Sequence, residues 1–99
     1  MTTIAPTLQE QSLITVRPEH LASALDGETI LLHMTSGLYY GLNEVGARIW
    51  ELLQTPQTLG QLSDRLLEEY DVDRTQCLQD VSKILQDLHN AQLIQIDGN

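Results

Sequence analysis

The chain is predicted to fold as an α+β domain, with a three-stranded antiparallel sheet followed by three helices. Short apolar segments rich in β-branched residues precede residue 43, and helical periodicity then extends over residues 43–92. Strands followed by a run of helices are typical of the α+β class. The length of 99 residues, with 41% hydrophobic and 19% charged side chains, suits one globular domain.

Three segments before residue 43 are predicted to be strands. They are SLITVRP (12–18), ETILLHM (28–34) and LYYGL (38–42). Pro18 ends the first strand because proline cannot donate to a β-ladder, and residues 19–28 are interpreted as a connector with at most one helical turn. The second and third strands form a hairpin around residues 35–37. Residues 1–11 lack periodicity and are expected to form a flexible tail, so the domain spans 12–97.

Each of the three helices is predicted to begin at a capping residue. The caps are Asn43, Thr58 and Asp73, whose short polar side chains can accept from a free backbone N–H. Thr58 and Gln61 have the spacing of a capping box. The third helix is expected to continue to about Gln92, and LIQI (93–96) is compatible with a last short strand.

Helices joined by short turns after a small sheet resemble a winged helix-turn-helix, an arrangement that ordinarily suggests DNA binding. However, the chain carries a net charge of −9, and residues 58–92 hold seven acidic and three basic side chains, a local charge of −4. Such a surface repels phosphate, so nucleic acid is not an expected partner and a winged-helix DNA-binding regulator is the less favoured alternative. A neutral or basic peptide would be attracted instead.

The sequence contains no constellation typical of an enzyme or a metal site. Its single cysteine, Cys77, and His89 lie on one helix about 18 Å apart by the helical rise, too far for a nucleophile and its base. Cys77 is therefore expected to be a buried apolar residue, and His33 a half-exposed strand residue. We expect no catalysis by this chain, no metal and no cofactor. The chain lacks a signal peptide and an apolar run of membrane-spanning length, so a cytoplasmic protein without membrane contact is expected.

The third strand and the third helix together predict a groove. Leu38, Tyr40 and Leu42 project to one side of the strand, and Tyr39 and Gly41 to the other. If the first three pack on the helices, Tyr39 is partly exposed and Gly41 leaves a gap that another backbone can approach. The alternative is a tyrosine that simply lies at the surface.

The third helix carries an apolar stripe that covers an arc of about 120° or more. Its members are Cys77, Leu78, Val81, Ile84, Leu85 and Leu88. Core packing alone can use this width, but a sheet edge beside it would also accept an extended peptide as an added strand. Asp80 and Asp87, on the flank next to Ile84, would then meet basic residues of that peptide.

The segments LDGETILLHMTSGLYYGLNEVGARIWELL, TLGQLSDRLLEEYDVD and CLQDVSKILQDLHNAQLI closely resemble the PqqD family. The specific marks are the turn from Tyr39 to Asn43, the Ile-Trp run within residues 47–50, and Asp80 followed by Val81. Members of this family are recognition elements for ribosomally made, modified peptides. The resemblance implies that a leader peptide adds as an antiparallel strand to residues 38–42 and packs against the third helix from Cys77 to Leu88.

The resemblance also implies partners for the leader-bound protein. In lasso-peptide systems these are a leader protease and a macrolactam synthetase, and in others, including the pyrroloquinoline quinone system, a radical-SAM enzyme. A free-standing chain of this kind is more similar to the lasso type. A structural adaptor that binds only a protein partner is a further alternative. Because exposed strand edges invite pairing, the expected state is a monomer or a weak dimer.

Overall fold

The computed structural model describes residues 8–26 and 28–97, which form three helices and two three-stranded antiparallel sheets. The predicted α+β class is confirmed. The strands are β1 (Leu13–Val16), β2 (His20–Leu25), β3 (Glu28–His33), β4 (Tyr39–Leu42), β5 (Gln57–Thr58) and β6 (Ile94–Asp97). The helices are α1 (Glu44–Leu52), α2 (Leu59–Glu69) and α3 (Arg74–Asn90).

One sheet, called here the terminal sheet, joins strands from distant parts of the chain in the order β5-β1-β6. The predicted first strand is confirmed, but it pairs with β6 and β5 and not with the hairpin that follows it. In this register Ile14 lies opposite Ile96, and both side chains are buried with Ile94. The terminal sheet therefore closes the core with residues from both ends of the domain.

The other sheet, called here the hairpin sheet, has the order β2-β3-β4. The interpretation of residues 19–28 as a connector is wrong, because β2 pairs with β3 along its whole length. The segment HLASAL consists mainly of residues without a strong strand preference, so cross-strand pairing and not local propensity decides its conformation. Asp26 has a φ of 52°, a left-handed conformation of the kind that tight hairpin turns require.

The predicted helix caps are confirmed. The side chains of Asn43, Thr58 and Asp73 each accept from a backbone N–H three residues later, and Thr58 and Gln61 form the reciprocal capping box. Helix α3 ends at Asn90, slightly earlier than predicted, because Gln92 turns into a left-handed conformation with a φ of 62°. The Leu93 N–H then donates to the Leu88 carbonyl, closing the helix end.

A single hydrophobic core lies between the two sheets and the helices. Strands β1 and β3 and the three helices each contribute a fully buried side chain, and these are Ile14, Leu31, Ile49, Leu62 and Leu85. Cys77 is buried as expected. His33 is not half-exposed but buried, since it shares the inward side of β3 with Leu31, and its Nδ1 accepts from the Ser36 N–H at 3.1 Å. The imidazole therefore holds the turn between β3 and β4.

The segment predicted to be a flexible tail falls mostly on residues 1–7, which lie outside the described residues. Leu8 packs against the core. The Glu10 carbonyl accepts from the Gly60 N–H at 2.9 Å, and the Glu10 carboxylate pairs with Arg74. In the structure, residues 8–11 therefore lie against the starts of α2 and α3.

Candidate functional site

Strand β4 has a free side. Among the described residues it pairs only with β3. The His33 N–H donates to the Leu38 carbonyl at 3.0 Å, and this bond at the end of the hairpin sets which later pairs of the antiparallel ladder are hydrogen-bonded. Because bonded and non-bonded pairs alternate, the backbone N–H and C=O groups of Tyr39 and Gly41 point away from β3. A second extended chain can bond to them.

A cleft of about 220 Å³ lies beside this free strand, between β4 and α3. Its apolar walls are Tyr40 and Leu42 from the strand and Ile84 and Leu88 from the helix. We call these four residues and the space between them the β4–α3 groove. Three of the four are half-buried and Leu88 is buried, so the groove is apolar at its base and open at its surface.

Carboxylates flank the groove on the helix side. Asp87 is exposed at its rim, and a second depression of about 340 Å³ continues from there past Asp80 and Lys83. Asp80 also accepts a hydrogen bond from the Gln76 side chain at 2.9 Å. A peptide lying along α3 would thus meet two negative charges and one positive charge within two helical turns.

Ten of the eleven residues predicted to bind a peptide fall into three groups. Those in or at the rim of the groove are Tyr40, Gly41, Leu42, Ile84, Asp87 and Leu88. Cys77, Asp80 and Val81 line a separate apolar crevice of about 90 Å³ near Tyr70, with Cys77 and Val81 themselves buried. Tyr39 is 70% exposed on the opposite, outer face of the sheet.

The side chain of Leu38 does not pack where the sequence predicts. Strand alternation predicts that it packs on the helices with Tyr40 and Leu42, but it is 56% exposed. The reason is that β4 begins at Tyr39, so Leu38 belongs to the turn that leaves the core. The sheet therefore covers the helices only from Tyr40 onward.

Two residues of the cleft are absent from the predicted set. Asn43 and Gly46 lie at its end, where Asn43 Oδ1 accepts from the Gly46 N–H at 2.9 Å. A Cβ on Gly46 would approach the Leu42 Cβ to 3.3 Å, so glycine lets β4 and α1 come close together here. The capping role of Asn43 is visible in the sequence, but its place in the cleft depends on how α3 crosses the strand.

The described residues of the site offer apolar, acidic and free backbone groups to a ligand. Burial raises the pKa of the Cys77 thiol above its ordinary value, which keeps it protonated and unreactive at neutral pH. Among the described residues, no group of three or more His, Cys, Asp or Glu side chains could hold a metal ion. No helix formed by those residues is long and apolar enough to cross a membrane.

An α+β domain that presents a free strand edge beside an apolar helix defines a class of peptide-binding modules. A family model described as coenzyme PQQ synthesis protein D (PqqD) matches residues 28–94, and the chain belongs to this family. No curated protein matches the sequence.

Two solved structures are similar to the chain. The structure of TbiB1 in complex with the TbiA(beta) leader peptide is 32% identical, with a TM-score of 0.79 over 86% of this chain and 99% of that one. The structure of lasso peptide synthetase B1 complexed with the leader peptide is 27% identical, with a TM-score of 0.74 over 83% of this chain and 96% of that one. Both similar proteins thus hold a leader peptide.

Proposed function

We propose that the chain is a non-catalytic, cytoplasmic binding protein that recognises the leader region of a ribosomally made precursor peptide. It delivers that precursor to the enzymes that process it. The observation that carries the proposal is the free side of β4 directly beside the β4–α3 groove. Both similar structures are complexes with leader peptides, which supports the same function here.

The leader would bind by adding an antiparallel strand to β4. The outward backbone groups of Tyr39 and Gly41 supply hydrogen bonds whatever the leader sequence is. Selectivity comes from side chains, because every second residue of the added strand faces the helix side of the sheet. An apolar leader side chain would enter the β4–α3 groove, and a basic one would meet Asp87 or Asp80.

The mechanism is the conversion of binding energy into proximity. A docked leader holds the attached core peptide near any enzyme that also binds this protein, at an effective concentration that reaches about millimolar with a short flexible link. An affinity between about 1 μM and 1 nM, or about −8 to −12 kcal/mol, is what such a module needs. The protein itself forms and breaks no covalent bond.

The lasso-peptide pathway is the favoured setting, since one similar protein is a lasso peptide synthetase component. The partner enzymes would then be a leader protease and a macrolactam synthetase. The family match favours a second candidate, in which the chain presents a precursor to a radical-SAM enzyme as in pyrroloquinoline quinone synthesis. Both candidates use the same leader site and differ only in the enzyme that follows.

The proposal is tested by titrating a fluorescently labelled synthetic leader peptide of the pathway into the purified protein. The variant Ile84→Asp puts a charge into the β4–α3 groove, and we expect leader binding to be lost while the circular dichroism spectrum is unchanged. The matched control is Gln79→Asp, which adds the same charge at an exposed position of the same helix. Equal affinity of Ile84→Asp and the wild type would exclude the groove as the binding site.

A further inference from the structure

A polar cleft of about 400 Å³ lies between the end of α3 and the free edge of β6, and we call it the α3–β6 cleft. It shares no lining residue with the β4–α3 groove. Although the chain has 14 acidic and only five basic residues, no acidic side chain among the described residues lines this cleft. The lining side chains that can donate a hydrogen bond are those of Arg17, His89, Asn90, Gln92 and Gln95.

The edge of β6 adds backbone donors to the cleft. The Arg17 N–H donates to the Leu93 carbonyl at 2.9 Å, and β6 continues in register with β1 from this pair. Because bonded and non-bonded pairs alternate, the N–H groups of Ile94 and Ile96 point away from β1. Among the described residues β6 pairs only with β1, so both N–H groups can donate to a ligand.

Arg17 supplies the positive charge of the cleft. Its ion pair with Glu19 is 3.6 Å long, which is beyond hydrogen-bond distance. Arg48 and Arg74, in contrast, donate hydrogen bonds of 2.8 and 2.9 Å to carboxylates of this chain. The Arg17 guanidinium therefore keeps donors for a carboxylate from another molecule, which it can bind through two parallel bonds.

His89 and Gln95 differ in what they can offer. Gln95 Nε2 already donates to the two carboxylate oxygens of Asp97 at 3.1 and 3.0 Å. His89 Nδ1 is buried and has no hydrogen-bond partner among the described residues. A proton is favoured on Nε2, because an N–H at Nδ1 would be buried without an acceptor. His89 therefore offers the cleft an N–H donor from Nε2.

Two negative fields oppose an anion here, and both are weakened. The C-terminal end of a helix carries a partial negative charge, but the last turn of α3 is closed by hydrogen bonds. In it the Leu88 and His89 carbonyls accept from the N–H groups of Leu93 and Gln92 at 3.0 and 2.9 Å. The net charge of −9 acts from a distance, and physiological salt screens it beyond about 8 Å. The donors of the cleft therefore decide binding at contact.

We infer that the α3–β6 cleft binds an acidic peptide segment of a protein partner. Carboxylates of the segment would accept from the Arg17 guanidinium, His89 Nε2 and the free N–H groups of β6. The proposed leader site has the opposite preference, because Asp87 lies at its rim. The two sites therefore accept ligands of opposite charge, and this inference does not depend on the leader.

The probe is a hexaglutamate peptide with blocked ends, and hexaglutamine is its uncharged control. Each peptide is titrated into isotope-labelled protein, and the amide chemical shifts are followed by NMR. We expect hexaglutamate to shift the signals of Arg17, Gln92 and residues 94–96, and hexaglutamine to shift none of them. Shifts of equal size at Arg65 and Lys83 would mean attraction to any cation and would overturn the inference. An absence of shifts would overturn it as well.

Two variants remove the proposed binding chemistry. Arg17→Gln deletes the positive charge, and Gln92→Glu puts a carboxylate of the same shape at the cleft. The matched controls are Arg65→Gln and Gln79→Glu, at exposed positions of α2 and α3. We expect both cleft variants to bind hexaglutamate at least about tenfold more weakly, and both controls to stay within about twofold of the wild type. Wild-type affinity in folded Arg17→Gln or, if that variant does not fold, in Gln92→Glu would disprove the inference.

Three measurements exclude other occupants. If a single N-acetylglutamate amide binds as tightly as hexaglutamate, the cleft takes a small acid and not a peptide. If sedimentation velocity shows a wild-type dimer that Arg17→Gln dissociates, the occupant is a second copy of this chain. If hexaglutamate displaces the labelled leader, its site is the leader site. Each of these results contradicts the inference, whereas a wild type that binds no leader contradicts only the proposed function.

Discussion

The terminal sheet and the hairpin sheet each have three antiparallel strands, but the outer faces of β6 and β3 have opposite chemistry. In β6, Ile94 and Ile96 face the core, while Gln95 and Asp97 face outward. In β3, Leu31 faces the core and is fully buried, while Ile30 faces outward and is 43% exposed. The buried inward positions of β6 and β3 are explained by folding, but the exposed apolar position of Ile30 is not.

The two sheets also differ at their edges. The β5 edge of the terminal sheet is only two residues long and runs directly into α2, and the β6 edge carries polar outward side chains. Both features discourage pairing with another chain. The β4 edge has no such protection among the described residues and lies beside an apolar groove. The comparison supports the proposal that the leader binds at the hairpin sheet and not at the terminal sheet.

The largest expected effect is on the stability of the terminal sheet. Ile14→Ala removes a fully buried side chain, and we expect it to lower the free energy of unfolding by about 3 kcal/mol. The same change at Ile30, on the outer face of the hairpin sheet, should cost less than about 1 kcal/mol. Urea denaturation of both variants measures the difference. Equal losses would mean that the outer face contributes to folding as much as the core does.

The next largest expected effect is on leader affinity and concerns the free edge of β4. Gly41→Pro removes an N–H that β3 does not use, so the protein should fold while leader affinity falls at least about tenfold, or 1.4 kcal/mol. Fluorescence polarisation with the labelled leader measures this loss. Gly41→Ala is the control because it keeps the N–H, and its Cβ would meet nothing within 4 Å. Full affinity of the proline variant would place the added strand elsewhere.

A smaller effect on stability is expected at Thr58, where β5 of the terminal sheet ends and α2 begins. The Thr58 hydroxyl accepts from the Gln61 N–H at 3.1 Å, and the Gln61 side chain accepts from the Thr58 N–H at 2.9 Å. Thr58→Ala breaks this capping box and should lower the free energy of unfolding by about 1 kcal/mol. Thr58→Ser keeps the hydroxyl and should restore most of that loss. Leader affinity should not change, which would confirm that this end of the molecule has no part in binding.

The smallest expected effect on stability concerns the ion pair between α1 and α2. Arg48 of α1 donates two hydrogen bonds of 2.8 Å to Glu69 of α2. These bonds hold the pKa of Glu69 below its ordinary value of 4.5. When the pKa of a carboxylate is lower in the folded state than in the unfolded state, the carboxylate stabilises the protein at pH values above its pKa in the unfolded state. This stabilisation is lost as the pH falls through the pKa of the folded state.

Glu69→Gln should therefore be slightly less stable than the wild type at neutral pH, because a solvent-exposed pair contributes little. The difference in urea midpoint should narrow as the pH is lowered below 4.5, where the wild-type carboxylate protonates. Glu68→Gln, at an exposed neighbouring position, is the control and should show no such narrowing. A difference that stayed constant with pH would exclude the ion pair as its cause.

Much of the fold and part of the site were predictable from the sequence. The helices, their caps and the β3–β4 hairpin follow from local signals, and all of them are confirmed. Strand β2 was missed because its residues favour no strand by themselves. The predicted site residues included six that line one cleft, but the periodicity of α3 could not separate Ile84, at the groove, from Cys77, in the core.

The sequence by itself determined the elements whose causes are local, such as caps, turns and alternating faces, together with the acidic charge that disfavours nucleic acid. It also determined that Tyr39 and Tyr40 face opposite sides, because side chains alternate along any strand. Only the tertiary structure decided that β1 pairs with β6, that β4 keeps a free side, and that α3 forms a groove beside it. Those features depend on contacts between residues far apart in the chain, which no local pattern specifies.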